Sequence, residues 1–335
     1  MVQKRYVISV VGPGRSGTTV LGGILGEVDG VFCPGELRWL WSRGVLGSRR
    51  CGCGALITEC AIWSQVLARG NAEPALAAAT DQRAAAEAVV AWQGEIATGR
   101  QGRQVLNPSS TNGSIALEDY TEVLGATLDE IFAVTGASVI VDTSKRPQDA
   151  AVIARIPGLE HVVVQMVRDP RAVAHSWGRV KKLPTNDKST AMGTRGPWSS
   201  LWRWTQNGLR AEHLRRNIPA DRWLFIRYED FVADPRSAID DILCRVSRPH
   251  GDNPIQADGS VSMSGNHTVA GNPNRFDRGA VKIRSDDEWM RAVPRARQVM
   301  LGLAALPLMR KYKYPVKPTA DARVSSDGAA TTGSG

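Results

Sequence analysis

Apolar residues fall into two rhythms along this chain. Four short runs, Tyr6–Val11, 138–141, 161–167 and 223–228, are rich in β-branched residues and nearly continuous rather than alternating. Such runs predict strands covered on both faces. The longer stretches 75–96 and Ile115–Thr135 read as helices. Strands alternating with helices predict a parallel sheet with helices on both sides. The expected fold class is therefore α/β: a P-loop-like parallel sheet flanked by helices on both faces, one domain over residues 1–316 with helical and loop insertions. Residues 71–135 read as the mainly helical insertion. Segments 100–112, 183–199 and 247–264, rich in Gly, Pro, Asn, Asp, Ser or Thr, read as loops, the second being a candidate lid. Residues 317–335 collapse to Ala, Ser, Thr and Gly, the composition expected of a disordered tail.

In parallel α/β sheets ligands bind beyond the carboxyl ends of the strands, so the residues that follow each run carry the chemistry. After the first run stands Gly12-Pro13-Gly14-Arg15-Ser16-Gly17-Thr18-Thr19, then a helical Val20-Leu21-Gly22-Gly23-Ile24-Leu25. Strand, Gly-rich turn and helix together point backbone N–H groups and a positive helix end at one spot, which suits an anion. The turn has the length of a P-loop, but Thr18 occupies the lysine position. That lysine normally reaches the terminal phosphates of a triphosphate, with the next hydroxyl on magnesium. Its absence, with Arg15 in the turn, suits a 5′ group shorter than a triphosphate and no bridging metal.

A second anion signal follows the run at 161–167. Arg168 ends the strand, Asp169 is placed to cap a helix, and Pro170 sits at its first position. Ser176 lies about 9 Å further along that helix, within partial reach of a long Arg168 side chain. Arg168 and Ser176 can then grip one phosphate from two sides. Two anion sites after two strands suggest a nucleotide phosphorylated at both ends.

With these two motifs the chain resembles the PAPS-dependent sulfotransferases, in particular their bacterial carbohydrate and tyrosylprotein-like branches. The family loop [KR]-S-G-T-[ST]-x-L is matched by Arg15-Ser16-Gly17-Thr18-Thr19-Val20-Leu21, and the family spacing of Arg and Ser on the 3′-phosphate by Arg168 and Ser176. The resemblance implies a sulfuryl transfer from 3′-phosphoadenosine 5′-phosphosulfate (PAPS; product PAP) to an acceptor hydroxyl on a glycan, glycolipid, natural product or tyrosine, with no metal required. It implies that Gly14, Arg15, Ser16, Gly17, Thr18 and Thr19 hold the 5′ side. Glu36, in Cys33-Pro34-Gly35-Glu36, falls where some branches carry a catalytic base, and Lys145, in Asp142-Thr143-Ser144-Lys145, where related proteins place a lysine on the leaving bridge. Arg15 and Lys145 would join Glu36 in catalysis. Tyr228, in Tyr228-Glu229-Asp230, is expected near adenine, and Arg275 in a Gly- and Asn-rich loop is a further 3′-phosphate candidate. The Arg-Lys-Gly of the cytosolic phenol and steroid branch is missing from that loop.

Charge and cysteines adjust this picture little. The 335 residues carry 42 Lys and Arg against 33 Asp and Glu, a net +9 that favours an anionic partner without choosing one. Cys51-x-Cys53-x6-Cys60, with Cys33 as a fourth ligand, allows a zinc site, but its CxC is tighter than the usual CxxC knuckle. Thiols pinning a loop are the preferred reading, and Cys244 is read as core. No apolar run approaches the ~20 residues of a membrane helix, and residues 1–6 do not open a secretory signal, so a cytoplasmic chain without a membrane span is expected. His161 opens its strand and His175 neighbours Ser176, so neither is expected to be the base. Two rivals remain: a P-loop-type nucleotide kinase or NTPase with a degenerate loop, and a non-catalytic polyanion-binding protein. No nucleic-acid motif appears.

Overall fold

The computed structural model describes residues 4–70, 73–109, 113–179, 193–247 and 253–316. Its sheet has five parallel strands, β1 (Tyr6–Val11), β2 (Val31–Gly35), β3 (Val139–Lys145), β4 (Glu160–Val167) and β5 (Trp223–Arg227), in the order β2-β3-β1-β4-β5. β1 is central, with β3 on one side and β4 on the other, so the chain leaves the sheet in opposite directions around the end of β1. That is where a parallel sheet opens a crevice. A separate antiparallel ribbon pairs β6 (Ser260–Met263) with β7 (Gly279–Lys282).

Successive residues of β1 serve opposite cores, which explains its unbroken apolar run. Val7 and Val11 face the cluster built by helices Gln82–Glu95 and Ile115–Thr135, while Tyr6, Ile8 and Val10 face helices α1 (Thr18–Leu25) and Pro235–Arg245. Ser9, between them, is buried and its Oγ meets His161 Nε2 at 2.8 Å. Burial lowers the pKa of that imidazole to about 3, so His161 is a neutral structural partner inside the sheet.

Local signals set the helix ends. Ser114 Oγ accepts from Leu117 N and Gly136 closes the other end at φ +67°, bounding Ile115–Thr135. Asp169 and Asp234 cap helices that begin with Pro170 and Pro235. The predicted helix at 75–96 is instead a 3₁₀ turn, Pro74–Leu76, followed by Gln82–Glu95, because Asp81 caps a new start through Ala84 N. The expected loop 100–112 overlaps the short helix Gly99–Gln104, and the loop 247–264 ends in β6. Of the candidate lid, 183–192 lies outside the described residues, and Pro197 opens the helix Pro197–Arg215. The tail 317–335 also lies outside them. Cys244 is exposed on its helix rather than in the core. Among the described residues no helix is long and apolar enough to cross a membrane.

Candidate active site

Each of the five strands delivers one candidate side chain at its carboxyl end. β1 runs into the Gly-rich turn, β2 into Glu36, β3 ends on Lys145, β4 precedes Arg168 and β5 precedes Tyr228. Parallel alignment brings all five to one edge of the sheet, although the chain separates the first from the last by more than two hundred residues.

The turn from Gly12 to Gly17 lies between two cavities. One, of about 300 Å³, is lined by Arg15, Gly17, Thr19, Arg168, Ser176, Tyr228 and Arg275 among others. The other is an open cleft of about 1200 Å³ reached by Gly14, Arg15, Gly17, Thr18, Thr19, Glu36, Lys145 and Arg275. Gly17 makes the close packing possible. Its φ is +83°, and a Cβ there would lie 2.7 Å from the Tyr228 ring.

Buried donors without partners make the turn a candidate anion site. Arg15 Nε and Nη1, Ser16 Oγ and Arg168 Nε are all buried and have no hydrogen-bond partner among the described residues. An orphaned buried cation is costly, and a phosphate-type oxyanion would satisfy these groups together. Arg15 has φ +73° and lies over Trp177, with its guanidinium carbon 4.8 Å from the ring centroid. Burial first, then Arg179 and Arg195, push its pKa below the usual arginine value. An anion bound beside it would relieve that stress.

Arg168 is 5% exposed and lies across the Tyr228 ring at 4.4 Å. Its Nη1 donates to Arg15 O at 3.3 Å, and its Nη2 donates to Asp286 O at 2.7 Å with Asp286 Oδ2 at 3.2 Å. The corner around it is over-determined. Trp204 Nε1 donates to Arg168 O, Arg171 makes a two-toothed pair with Asp169, and Tyr314 Oη donates to Val167 O. Ser176 is buried on the next helix and faces the same cavity as Arg168, as the sequence spacing predicts.

Glu36 and Lys145 form an ion pair on the side of the larger cleft. Trp39 Nε1 also donates to Glu36 Oε2 at 2.9 Å. Burial alone would raise the Glu36 pKa, but the Lys145 charge and hydrogen bond, Trp39 and Arg43 outweigh it and hold the carboxyl below its ordinary value. Behind this pair, Asp142 Oδ1 accepts from Leu37 N at 3.2 Å and Ser144 Oγ accepts from Arg38 N at 3.1 Å, so the end of β3 holds the Glu36 turn in place.

Arg275 reaches both cavities, but its donors are engaged: Nη1 with Thr268 O at 2.8 Å and Nη2 with Arg50 O at 3.1 Å. Burial lowers its pKa to about 10. It braces the loop rather than presenting a free fork. His175 lies beside Glu288 at 3.7 Å. Sequence reasoning offered Trp177 and Trp204 only as stacking candidates for the acceptor, and missed their contacts with Arg15 and Arg168 as well as Asp286 and Asn207. Each acts through a contact more than thirty positions away in the chain or in a segment without a motif, so no local signal announces it.

Residues 151–251 match the model of the Sulfotransferase family. No curated protein matches the chain. Similar solved structures include the sulfotransferase domain of the Synechococcus PCC 7002 olefin synthase, 17% identical, with 94% of this chain and 98% of that one covered and a TM-score of 0.49. The sulfotransferase domain from the curacin biosynthetic pathway is 13% identical over 94% of this chain and 99% of that one, with a TM-score of 0.48. Sulfotransferase STF9 from Mycobacterium avium is 15% identical over 95% of this chain and 79% of that one, with a TM-score of 0.46. The matched residues include the strand-to-helix segment that carries Arg168 and Ser176.

Proposed function

We propose that this chain transfers the sulfuryl group of 3′-phosphoadenosine 5′-phosphosulfate to an acceptor hydroxyl. The observation that carries this reading is the set of buried, unpartnered donors on Arg15, Ser16 and Arg168 around a loop whose lysine position is Thr18. In this reading Arg168 and Ser176 take the 3′-phosphate, Tyr228 lies near the adenine, and the N–H groups from Gly14 to Thr19 with Arg15 hold the 5′ side. Arg275 serves the loop that closes over them. When bound, the donor supplies an electrophilic sulfuryl group and a nucleotide phosphate as leaving group.

The protein's own contribution is positioning and charge. Glu36, ionised and facing the larger cleft, accepts the proton of the acceptor hydroxyl. Lys145 and Arg15 stabilise negative charge that develops between the two cavities. Their positive backbone φ values, +70° and +73°, are the kind of local strain found at functional positions.

The cleft also favours one class of acceptor. Ten arginines and Lys145 line it, against Glu36 as its one carboxylate among the described residues. Such a surface attracts an acceptor that already carries negative charge, such as an acidic glycan or glycolipid head group. The reading includes a cytoplasmic location and no nucleic-acid partner, both resting on sequence alone. Calorimetry with adenosine 3′,5′-bisphosphate, ATP and GTP tests the nucleotide assignment. Magnesium-dependent triphosphate binding with no bisphosphate binding would replace it with the P-loop NTPase reading.

A further inference from the structure

The cysteine-rich turn after the Glu36 segment has a partner that the sequence does not suggest. Cys51, Cys53 and Cys60 converge on His267, more than two hundred residues away, and their four ligand atoms all lie within 4.8 Å of one another. Cys33, the expected fourth ligand, is elsewhere, packed in the core below α1 beside Gly22. The Cys60 Sγ to Cys51 Sγ distance is 3.6 Å, Cys53 Sγ to Cys60 Sγ 3.8 Å, Cys51 Sγ to His267 Nδ1 3.8 Å and Cys60 Sγ to His267 Nδ1 3.2 Å.

A tetrahedral zinc with Zn–S near 2.3 Å and Zn–N near 2.0–2.1 Å has S···S edges of about 3.8 Å and S···N edges of about 3.5 Å. Four of the six edges scatter around those lengths, and the remaining two lie within 4.8 Å. A disulfide would instead bring two sulfurs to about 2.05 Å and leave the third thiol and the imidazole without a task. We propose that Cys51, Cys53, Cys60 and His267 bind one structural zinc ion.

Local chemistry fits that assignment. Gly52 lets the CxC turn approach the opposite loop, since a Cβ there would lie 1.9 Å from Asn266 Oδ1. Gly54 N closes the turn on Cys51 O at 2.9 Å, and Trp63 Nε1 fixes the histidine backbone through His267 O at 2.7 Å. Binding converts three thiols to thiolates, releases three protons and leaves the cluster with one net negative charge beside a neutral imidazole. Arg50, Arg275 and Arg278 stand around it, donating to the carbonyls of Gly54, Arg50 and Gly52. Three thiolates and an imidazole select zinc over hard cations, and four protein ligands leave no open position for catalysis.

The ion would staple the turn at 51–60 to the loop at 266–276. That loop in turn holds the site: Glu36 N donates to Ala270 O at 3.0 Å, and Asn272 N donates to Thr19 Oγ1 at 3.3 Å. The zinc ligands are thus positioning residues for Glu36 and the phosphate loop.

Metal analysis tests this independently of any sulfuryl transfer. Full-length protein made in zinc-supplemented medium and purified without chelator is expected to carry about one zinc per chain by plasma mass spectrometry and by native mass. Cys53→Ser, at the exposed ligand, and His267→Ala should each lose that stoichiometric zinc. Wild-type protein stripped of metal and loaded with cobalt(II) should show the visible bands of a tetrahedral thiolate site, which keeps the test valid should the variants fail to fold. Metal-free protein with all five thiols reactive, iron in place of zinc, or a mass lower by two hydrogens from a disulfide among these cysteines would each overturn the assignment.

Discussion

Lys145 and Glu36 face each other as an ion pair, each side chain only 16% exposed, at the carboxyl ends of adjacent strands β3 and β2. The backbone of the same lysine reaches further. Lys145 O accepts from Gly12 N at the start of the phosphate loop and from Asn207 Nδ2, both at 3.0 Å. One residue thereby couples the candidate base, the anion loop and the helix Pro197–Arg215.

Removing the Glu36 carboxylate is expected to cost turnover and spare nucleotide binding. Glu36→Gln should lower kcat by about 100-fold or more while adenosine 3′,5′-bisphosphate binds as before, because proton transfer is lost and the anion site is intact. Steady-state rates with labelled donor, beside calorimetry, decide this. Unchanged kcat would remove Glu36 from the role.

The pH profile should report the Lys145 pairing. Lys145 is the main influence that lowers the Glu36 pKa against its burial. In Lys145→Met only Trp39 and Arg43 still oppose the effect of burial, so the acidic limb of kcat/KM should move to higher pH. A limb that stays in place would mean that another group sets it.

Arg168→Ala should weaken binding of adenosine 3′,5′-bisphosphate by about 10- to 100-fold, the effect of losing a charge-assisted hydrogen-bond donor. Adenosine 5′-phosphate, which lacks the 3′-phosphate, should bind wild type and variant alike. Equal losses for both nucleotides would place Arg168 on the 5′ side instead.

Asp142 makes stability depend on pH. Burial pushes its carboxyl up to about 7. A raised folded pKa means that the native state holds the proton more tightly, so this contribution is complete below the unfolded value near 4 and is lost as pH rises through about 7. Asp142→Asn keeps an Oδ1 acceptor for Leu37 and Ser144 but carries no charge. Its urea stability should therefore fall less than that of wild type between about pH 5 and pH 8. Parallel slopes would show that Asp142 is ionised at little cost.

The basic cleft should be visible as salt dependence. KM for an acidic acceptor is expected to rise several-fold between about 0.05 and 0.3 M salt, and KM for a neutral analogue to change little. Arg203→Ala, which removes one charge from the cleft wall, should raise the first and not the second. Equal salt sensitivity for both acceptors would rule out charge as the selector.

Much of the architecture was legible in the chain because it is written locally. Continuous apolar runs gave β1, β3, β4 and β5, since strands buried on both faces need no polar alternation, and Gly12 to Thr19 announced an anion turn because only that composition packs N–H groups so tightly. β2 was missed: Val31–Gly35 is short, holds a proline at the sheet edge and reads as loop. The single helix expected at 75–96 failed because a cap at Asp81 outweighs Ala-rich propensity.

Residue type and spacing named Arg15, Arg168 and Ser176, and the resemblance to the sulfotransferases added Glu36 and Lys145. Which of them pair, and what holds them, was decided only when parallel strands brought distant ends to one edge. The ion pair of Glu36 with Lys145, the support of Asp286 and Trp204 for Arg168, and the replacement of Cys33 by His267 in the cysteine cluster are all contacts across more than thirty residues. Short-range spacing carries no information about such contacts, because loop closure allows many partners and the packed sheet selects one.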